Sequence, residues 1–160
     1  MAYHDELLQQ ANELVHKNPN HPTQADLRRS VSSAYYALFH LLIFEACLNW
    51  SNAISRPGLA RMFDHGLMKK VSKRVSDAGK MPYAGENPVI VGKLRSFAEL
   101  FVQLQEQRHE ADYNIKDTWT LTQSLKETLA ANRAFVTWQE IRTEKISQDY
   151  LVSLLIRPRD

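Results

Sequence analysis

The sequence predicts an all-α protein, and three observations support this prediction. Glycine accounts for 5 of 160 residues, well under the roughly 7% of an average protein, which disfavours a turn-rich β fold. Hydrophobic residues make up 44% and charged residues 24%, the balance of a globular chain rather than a disordered one. Apolar residues also recur at helical spacing in long segments separated by prolines and glycines. We therefore predict an up-and-down bundle of four to five helices, in a single domain over residues 1–160.

Two helices are predicted in the first third of the chain. The first runs from about Asp5 to Lys17 and ends at two prolines within residues 18–22. The second runs from about Gln24 to Asn49, and Thr23 is expected to cap it. Because residues 31–48 are apolar nearly all round, we expect the second helix to lie at the centre of the bundle.

In the rest of the chain we predict three further helices of medium or long length and a short C-terminal helix. The third helix runs from Pro57 to about Val75 and is followed by a loop over residues 77–88. A fifth helix, capped by Asp117 or Thr118, runs to about Glu144, and a short helix covers residues 147–156. The fourth helix, residues 89–113, has the clearest apolar periodicity, formed by Ile90, Leu94, Phe97, Phe101 and Leu104.

Composition and motifs exclude several classes of function. The net charge of +2 is too small to indicate a nucleic-acid binder by itself, and the single cysteine excludes a disulfide framework. The sequence has no Gly-rich phosphate loop, no HExxH motif and no GxSxG motif, so we expect neither a metal site nor a cofactor. The N-terminal residues have no apolar core like that of a signal peptide, and the apolar stretch over residues 37–48 is too short to span a bilayer. We expect a cytoplasmic protein without a membrane segment.

The periodicity of the fourth helix places an arginine on its buried face. The stripe that ends at Leu104 continues through Arg108 and Ala111. A buried guanidinium must find a carboxylate, an anionic ligand or a route to water, because an unpaired buried charge is strongly unfavourable. Asp112 lies one turn further on, and Glu45 of the second helix is the other candidate partner. Two interpretations stay open here, a structural ion pair and an arginine that binds a phosphate.

Two other groups of polar residues are candidate binding sites. Ser33, Tyr36 and His40 lie one turn apart on one face of the second helix, where a packing role is the alternative. Four cations near the end of the third helix are suited to the helix dipole, and they form either a solvated face or a contact for a polyanion. These cations are Lys69, Lys70, Lys73 and Arg74.

Two segments of the sequence resemble motifs of HEPN-domain proteins. Residues 33–40, SAYYALFH, resemble the S-x-Y-Y-A-x-F-H signature on a long helix of that family. Residues 108–113, RHEADY, resemble its R-x-x-A-D-Y motif, and the order and separation of the two motifs also fit. The resemblance covers roughly residues 24–129 and is to the small, stand-alone prokaryotic type of HEPN protein.

The resemblance implies a function on RNA. Active HEPN proteins are dimeric helical bundles that cut RNA without a metal, and they often act with a nucleotidyltransferase partner in toxin–antitoxin or defence systems. The resemblance implies that Arg108 contacts the RNA phosphate and that Asp112 orients the Arg108 side chain. It also implies that Tyr113 or His109 assists the reaction. A homodimer, an RNA substrate and such a partner protein are the expected interactions.

One position departs from the family pattern. Active members carry a histidine four to six residues after the arginine, but Asp112, Tyr113 and Asn114 occupy those places here. Since a tyrosine with a pKa near 10 carries protons poorly at neutral pH, His109 and His40 are the available substitutes. The alternatives are a non-catalytic HEPN module that binds nucleic acid, a nucleotide or a partner protein, and a structural helical dimer.

Overall fold

A computed structural model describes residues 1–157 and confirms that the chain is all-helical. Seven α-helices and a short 3-10 helix form within this range, and none of these residues is in a β-strand. The 3-10 helix is Ala53–Ser55, and the α-helices are α1 (Tyr3–His16), α2 (Gln24–Leu48), α3 (Arg56–Ala60), α4 (His65–Ser76), α5 (Pro88–Tyr113), α6 (Leu121–Ile141) and α7 (Lys145–Ser153). The helices α1, α2 and α5 begin and end within two residues of the predicted bounds.

The residues group into two compact units, and each unit consists of two separate parts of the chain. The first unit comprises residues 1–40 and 100–136. The second comprises residues 41–99 and 137–157. The helices α2, α5 and α6 therefore contribute one segment to each unit.

The buried stripe of α5 follows the predicted spacing. Ile90 is partly exposed, but the other four members of the stripe are fully buried: Leu94, Phe97, Phe101 and Leu104. Ala111 is also buried, and the Arg108 side chain is only 12% exposed. The prediction that an arginine lies on the buried face of this helix is confirmed.

The prediction of a single third helix is wrong, because the structure has two helices in this part of the chain. Residues 61–64 separate α3 from α4, where a single helix was expected from Pro57 to Val75. The Asp64 carboxylate accepts a hydrogen bond from the Leu67 backbone N–H at 2.8 Å and thereby caps α4. His65 and Gly66 are the first residues of α4.

The predicted caps of α2 and α6 differ in outcome. Thr23 Oγ1 accepts a hydrogen bond from the Asp26 backbone N–H at 3.1 Å, as expected for the start of α2. At α6, neither Asp117 nor Thr118 is the cap. Instead, Thr120 Oγ1 accepts from the Gln123 N–H at 3.2 Å, and Gln123 Oε1 accepts from the Thr120 N–H at 2.9 Å. These reciprocal bonds form a capping box one turn before the buried residues of α6.

A side chain of α2 fixes the end of α5. The Arg28 guanidinium donates hydrogen bonds to three backbone carbonyls, those of Ala111 at 2.8 Å, Asn114 at 3.0 Å, and Asp117. The last carbonyls of a helix have no partner within the helix, so a cation that binds them is favourable for both the hydrogen bonds and the helix dipole. Arg28 therefore holds the backbone that carries the RHEADY segment.

The segment between α5 and α6 is held at a second point. The Gln24 amide donates to the Trp119 carbonyl at 2.7 Å and accepts from the Trp119 N–H at 2.9 Å. The Trp119 ring is buried against Leu27, Val31 and Ala111. Two hydrogen bonds between the Gln24 side chain and the Trp119 backbone and an apolar contact thus attach this segment to the start of α2.

Over residues 124–134, the buried face of α6 is made of small and polar residues, and the large buried side chains Phe135, Trp138 and Ile141 follow. Ala130, Ala131 and Ala134 are fully buried, whereas Leu129 and Val136 are more than half exposed. Glu127 is also buried, and its Oε2 accepts a hydrogen bond from the Gln103 amide of α5 at 2.9 Å. Burial raises the pKa of the Glu127 carboxyl, and the Gln103 hydrogen bond opposes this shift only in part.

In the second unit, the buried carboxylate of Glu45 in α2 pairs with Arg142, whereas the sequence suggested it as a candidate partner of Arg108. Glu45 is 6% exposed and accepts two hydrogen bonds from the Arg142 guanidinium, at 2.8 and 3.1 Å. This forked geometry raises the pKa of Arg142. Glu45 is thus satisfied by Arg142 and is not the partner of Arg108.

One helix is long and apolar enough to cross a membrane. This helix is α2, and 78% of its most apolar window is buried inside the protein. The mostly buried core helix of a protein passes the same test of length and composition.

Candidate functional site

Arg108 lies against two aromatic rings of α2. Its guanidinium carbon is 5.0 Å from the centroid of the Tyr35 ring and 5.6 Å from that of the Tyr36 ring. Both rings are within cation–π range, and Tyr35 is fully buried, so it provides a rigid wall for the charge. The Nε atom of Arg108 is buried and has no hydrogen-bond partner. The two tyrosines thus hold the arginine without satisfying its donors.

The carboxylate nearest to Arg108 is that of Asp112, as the spacing predicts. The distance from Arg108 Nη1 to Asp112 Oδ2 is 3.9 Å, which is the outer limit of an ion pair, and the Asp112 side chain is 26% exposed. Asp112 Oδ2 also accepts a weak hydrogen bond from the Ser32 hydroxyl at 3.3 Å. The charge of Arg108 is therefore only partly compensated by a carboxylate.

A polar cleft opens between α1 and α2 in the same unit. It has a volume of about 390 Å³ and is lined by Tyr3, Leu7, Gln10, Arg29, Ser32, Ser33, Tyr36 and His40. The predicted polar face, Ser33, Tyr36 and His40, thus lines a single cleft. Ser32 and Tyr36 also contact Asp112 and Arg108, so the cleft adjoins the arginine.

The cleft has aromatic and hydrogen-bonded walls. The rings of Tyr3 and His40 meet edge to face, with centroids 4.8 Å apart, and the Tyr36 centroid is 6.4 Å from that of His40. The Ser33 hydroxyl donates to the Gln10 side chain at 2.8 Å. The walls therefore combine three rings with side chains that can donate and accept hydrogen bonds.

The two remaining predicted catalytic residues lie together on the surface of α5. The His109 and Tyr113 rings have centroids 5.0 Å apart, and Tyr113 is 66% exposed. His109 is exposed as well and follows Arg108 by one residue, which corresponds to about 100° around the helix. His109 thus contacts Tyr113, and its ring is directed away from the Arg108–Tyr35 contact.

The four predicted basic residues belong to the second unit. Lys70, Lys73 and Arg74 line a groove of about 260 Å³ together with Lys80. The floor of the groove is apolar and includes Leu67. Lys69 is half-buried and does not line this groove.

Several residues of the site are not among the predicted ones. Tyr35 is fully buried and supports Arg108, and Arg28 fixes the α5 terminus. Arg29 and Tyr3 add a cation and a ring to the cleft. The helical spacing of Arg29, Ser33 and His40 could have identified the α2 side of the cleft, but no pattern within α1 indicates that Tyr3 lies opposite.

The arrangement is suited to binding an anion. A planar guanidinium with unused donors, held on aromatic faces beside a polar cleft, can form forked hydrogen bonds to a phosphate. Among the described residues, no three His, Cys, Asp or Glu side chains are grouped closely enough to hold a metal ion. Comparison with protein-family models, curated proteins and solved structures found no match to this chain.

Proposed function

We propose that this chain is a HEPN-type protein that acts on RNA, as a metal-independent endoribonuclease of a toxin–antitoxin or defence system. The support is the two sequence motifs, RHEADY and SAYYALFH, together with the state of Arg108. The observation that carries the proposal is the nearly buried guanidinium held by Tyr35 and Tyr36, with its carboxylate contact at the ion-pair limit. Such an arginine is poised to exchange a weak intramolecular contact for a phosphate.

In the proposed reaction, the ribose 2′-oxygen attacks the adjacent phosphorus. A bond forms between them while the bond from phosphorus to the 5′-oxygen breaks, which leaves a 2′,3′-cyclic phosphate. A base takes the proton of the 2′-hydroxyl, and the leaving 5′-oxygen takes up a proton. Arg108 stabilises the charge that develops on the phosphate, and Asp112 orients the guanidinium.

The proton carrier is a histidine in this proposal. His109 has an imidazole in reach of solvent on α5, and it is paired with the Tyr113 ring. An imidazole exchanges protons at neutral pH far better than a phenol does. Because the His109 ring contacts Tyr113 and is directed away from Arg108 of its own chain, we assign the proton transfer to His109 of the partner subunit in a cytoplasmic homodimer, with Tyr113 as its positioning residue. The homodimer is proposed to work with a nucleotidyltransferase-type partner.

A second candidate function is a non-catalytic HEPN module that binds nucleic acid, a nucleotide or a partner protein. The observation that favours it is the direction of His109, whose ring contacts Tyr113 rather than the Arg108 side. In this case the Arg108 site supplies binding alone, and most of the affinity comes from phosphate contacts.

The test is incubation of the purified protein with transfer RNA and total RNA in the presence of EDTA. Wild type is compared with Arg108→Ala and Arg108→Lys, because lysine keeps the charge but loses the planar fork. Cleavage by wild type, with loss of at least a hundredfold in Arg108→Ala, is the expected result. Intact RNA that binds wild type in a salt-sensitive way, and Arg108→Ala more weakly, would instead support the binding module.

A third result would contradict both functions. If RNA neither binds nor is cut, and Arg108→Ala unfolds at a markedly lower denaturant concentration, then Arg108 is part of a structural ion pair. Thermal melting of each variant should be recorded with the cleavage assay, so that loss of the fold and loss of function are separated.

A further inference from the structure

We propose that the cleft between α1 and α2 binds a nucleobase of single-stranded RNA, next to the phosphate at Arg108. This inference rests on the proposed function, since Arg108 supplies the phosphate contact that places the base. It adds a subsite whose ligand is an unpaired base and its ribose.

The size and chemistry of the cleft fit this ligand. A volume of about 390 Å³ is in the range of small-molecule pockets, and the lining combines rings with hydroxyl and amide groups. Proteins bind unpaired bases by stacking them on aromatic side chains and by hydrogen bonds to the base edges. Tyr3 is 59% exposed and Tyr36 is partly exposed, so both rings have surface to offer a base.

The cleft is connected to the arginine through shared residues. The Tyr36 ring lines the cleft and also lies under the Arg108 guanidinium, 5.6 Å from its central carbon. Ser32 lines the cleft and donates to Asp112. A nucleotide whose phosphate is held by Arg108 therefore has its own base, or that of its neighbour, within reach of the cleft.

The charge in the cleft favours an anionic ligand. Arg29 is exposed and lines the cleft, and no aspartate or glutamate is among the lining residues. Arg29 and Arg108 thus provide cations for two positions of one RNA backbone, while the rings of the cleft provide a surface for the base.

The experiment compares two labelled probes by fluorescence anisotropy in EDTA. One is a single-stranded 2′-fluoro RNA of six nucleotides, which lacks the attacking hydroxyl and is not cut. The other is an inorganic polyphosphate with the same number of phosphates, which has charge but no base. Wild type, Tyr3→Ala, Tyr3→Phe, Arg108→Ala and Trp50→Ala are titrated with both. Trp50 is an exposed aromatic residue that does not line the cleft, so Trp50→Ala is the matched control.

We expect Tyr3→Ala to weaken binding of the RNA strand by about tenfold and to leave polyphosphate binding unchanged. Tyr3→Phe and Trp50→Ala should bind both probes as wild type does, and Arg108→Ala should weaken both. Alanine is a good helix former, so Tyr3→Ala keeps α1 intact at its first residue.

Two outcomes would overturn the inference, and they differ in what they say of the proposed function. If Tyr3→Ala binds the strand as tightly as wild type while Arg108→Ala weakens both probes, the cleft is not a base subsite but the phosphate site remains. If wild type binds neither probe, the proposed function fails, and the subsite fails with it.

Discussion

The guanidinium carbon of Arg108 lies 5.0 Å from the centroid of the Tyr35 ring, a contact that gives a nearly buried cation an aromatic surface instead of a close carboxylate. A cation–π contact of this kind is worth about 2 kcal/mol when it is desolvated, which offsets part of the cost of burying the charge. Because Tyr35 is fully buried, the position of its ring is fixed by packing. The arginine therefore keeps its orientation before any ligand binds.

Asp112→Asn tests whether the Arg108–Asp112 contact is structural. Since the contact is 3.9 Å long and partly exposed, we expect the free energy of unfolding to fall by less than about 1 kcal/mol. If the proposed phosphate contact at Arg108 forms, we also expect the affinity for a single-stranded RNA to rise severalfold, because a negative charge beside that position is removed. Urea denaturation and anisotropy titration measure the two effects. A loss of several kcal/mol would show instead that the ion pair supports the fold.

Arg28→Ala is expected to loosen the end of α5. Three backbone carbonyls lose a charged donor, and we expect a loss of about 2 kcal/mol in the free energy of unfolding. Hydrogen exchange of the amides in residues 111–117 should accelerate more than that of α1. Arg61→Ala, at an exposed position after α3, is the control and should change neither quantity. Equal acceleration throughout the chain would refute a local role for Arg28.

Glu127→Gln is expected to stabilise the protein at neutral pH. Burial raises the pKa of Glu127 in the folded state, so between its unfolded and folded pKa values the folded chain holds more protons than the unfolded chain. Stability from this group is therefore fully present below the unfolded pKa and is lost as the pH rises through the folded pKa. A glutamine cannot ionise, and its oxygen can still accept from Gln103.

The pH dependence of this variant gives the decisive comparison. Urea denaturation of wild type and Glu127→Gln from pH 4 to pH 8 should show a difference that favours the variant increasingly as the pH rises. A difference that stays constant over this range would contradict the raised pKa of the carboxyl.

Arg142→Ala is expected to destabilise the second unit. It removes both hydrogen bonds to Glu45, which is buried and would keep an uncompensated charge. We expect a loss of about 2 kcal/mol, less than for a fully buried pair, because Arg142 is itself partly exposed. Lys145→Ala, which breaks an exposed pair with Asp149, is the control and should leave the melting curve unchanged. If the two variants melted at similar temperatures, the buried ion pair of Glu45 would stabilise the fold no more than the exposed pair of Lys145 and Asp149 does.

The sequence predicted the parts of the structure that local spacing determines. Alternating steps of three and four residues placed Arg108 on the buried side of α5, and the i,i+4 spacing identified Asp112 as its partner. The sequence contains a signal for the break before α4 that the prediction did not use. Asp64 is a residue type that caps helices, and its carboxylate accepts from the backbone N–H three residues later, at Leu67. The capping box of Thr120 and Gln123 was likewise visible in the sequence.

Other features depend on contacts that no local pattern encodes. Arg28 binds carbonyl oxygens, which every residue possesses, so the sequence cannot indicate which ones it reaches. Leu129 and Val136 are exposed because α6 turns the face that carries Ala130, Ala134 and Trp138 to the interior. The sequence does not predict the Tyr3 side of the cleft, because α1 and α2 meet there only in the folded chain.

The hydrogen bonds of Arg28 also determine when the site can exist. They join residues that are 83, 86 and 89 positions apart in the chain, and the bond from Ser32 to Asp112 spans 80 positions. The chain loses the entropy of closing such long loops before these contacts stabilise it. The contacts therefore form late in folding. On the ribosome, Arg28 emerges long before its carbonyl partners do. In a chain that is still being synthesised, the Arg28 contacts and the bond from Ser32 to Asp112 are therefore absent until synthesis has passed the end of α5.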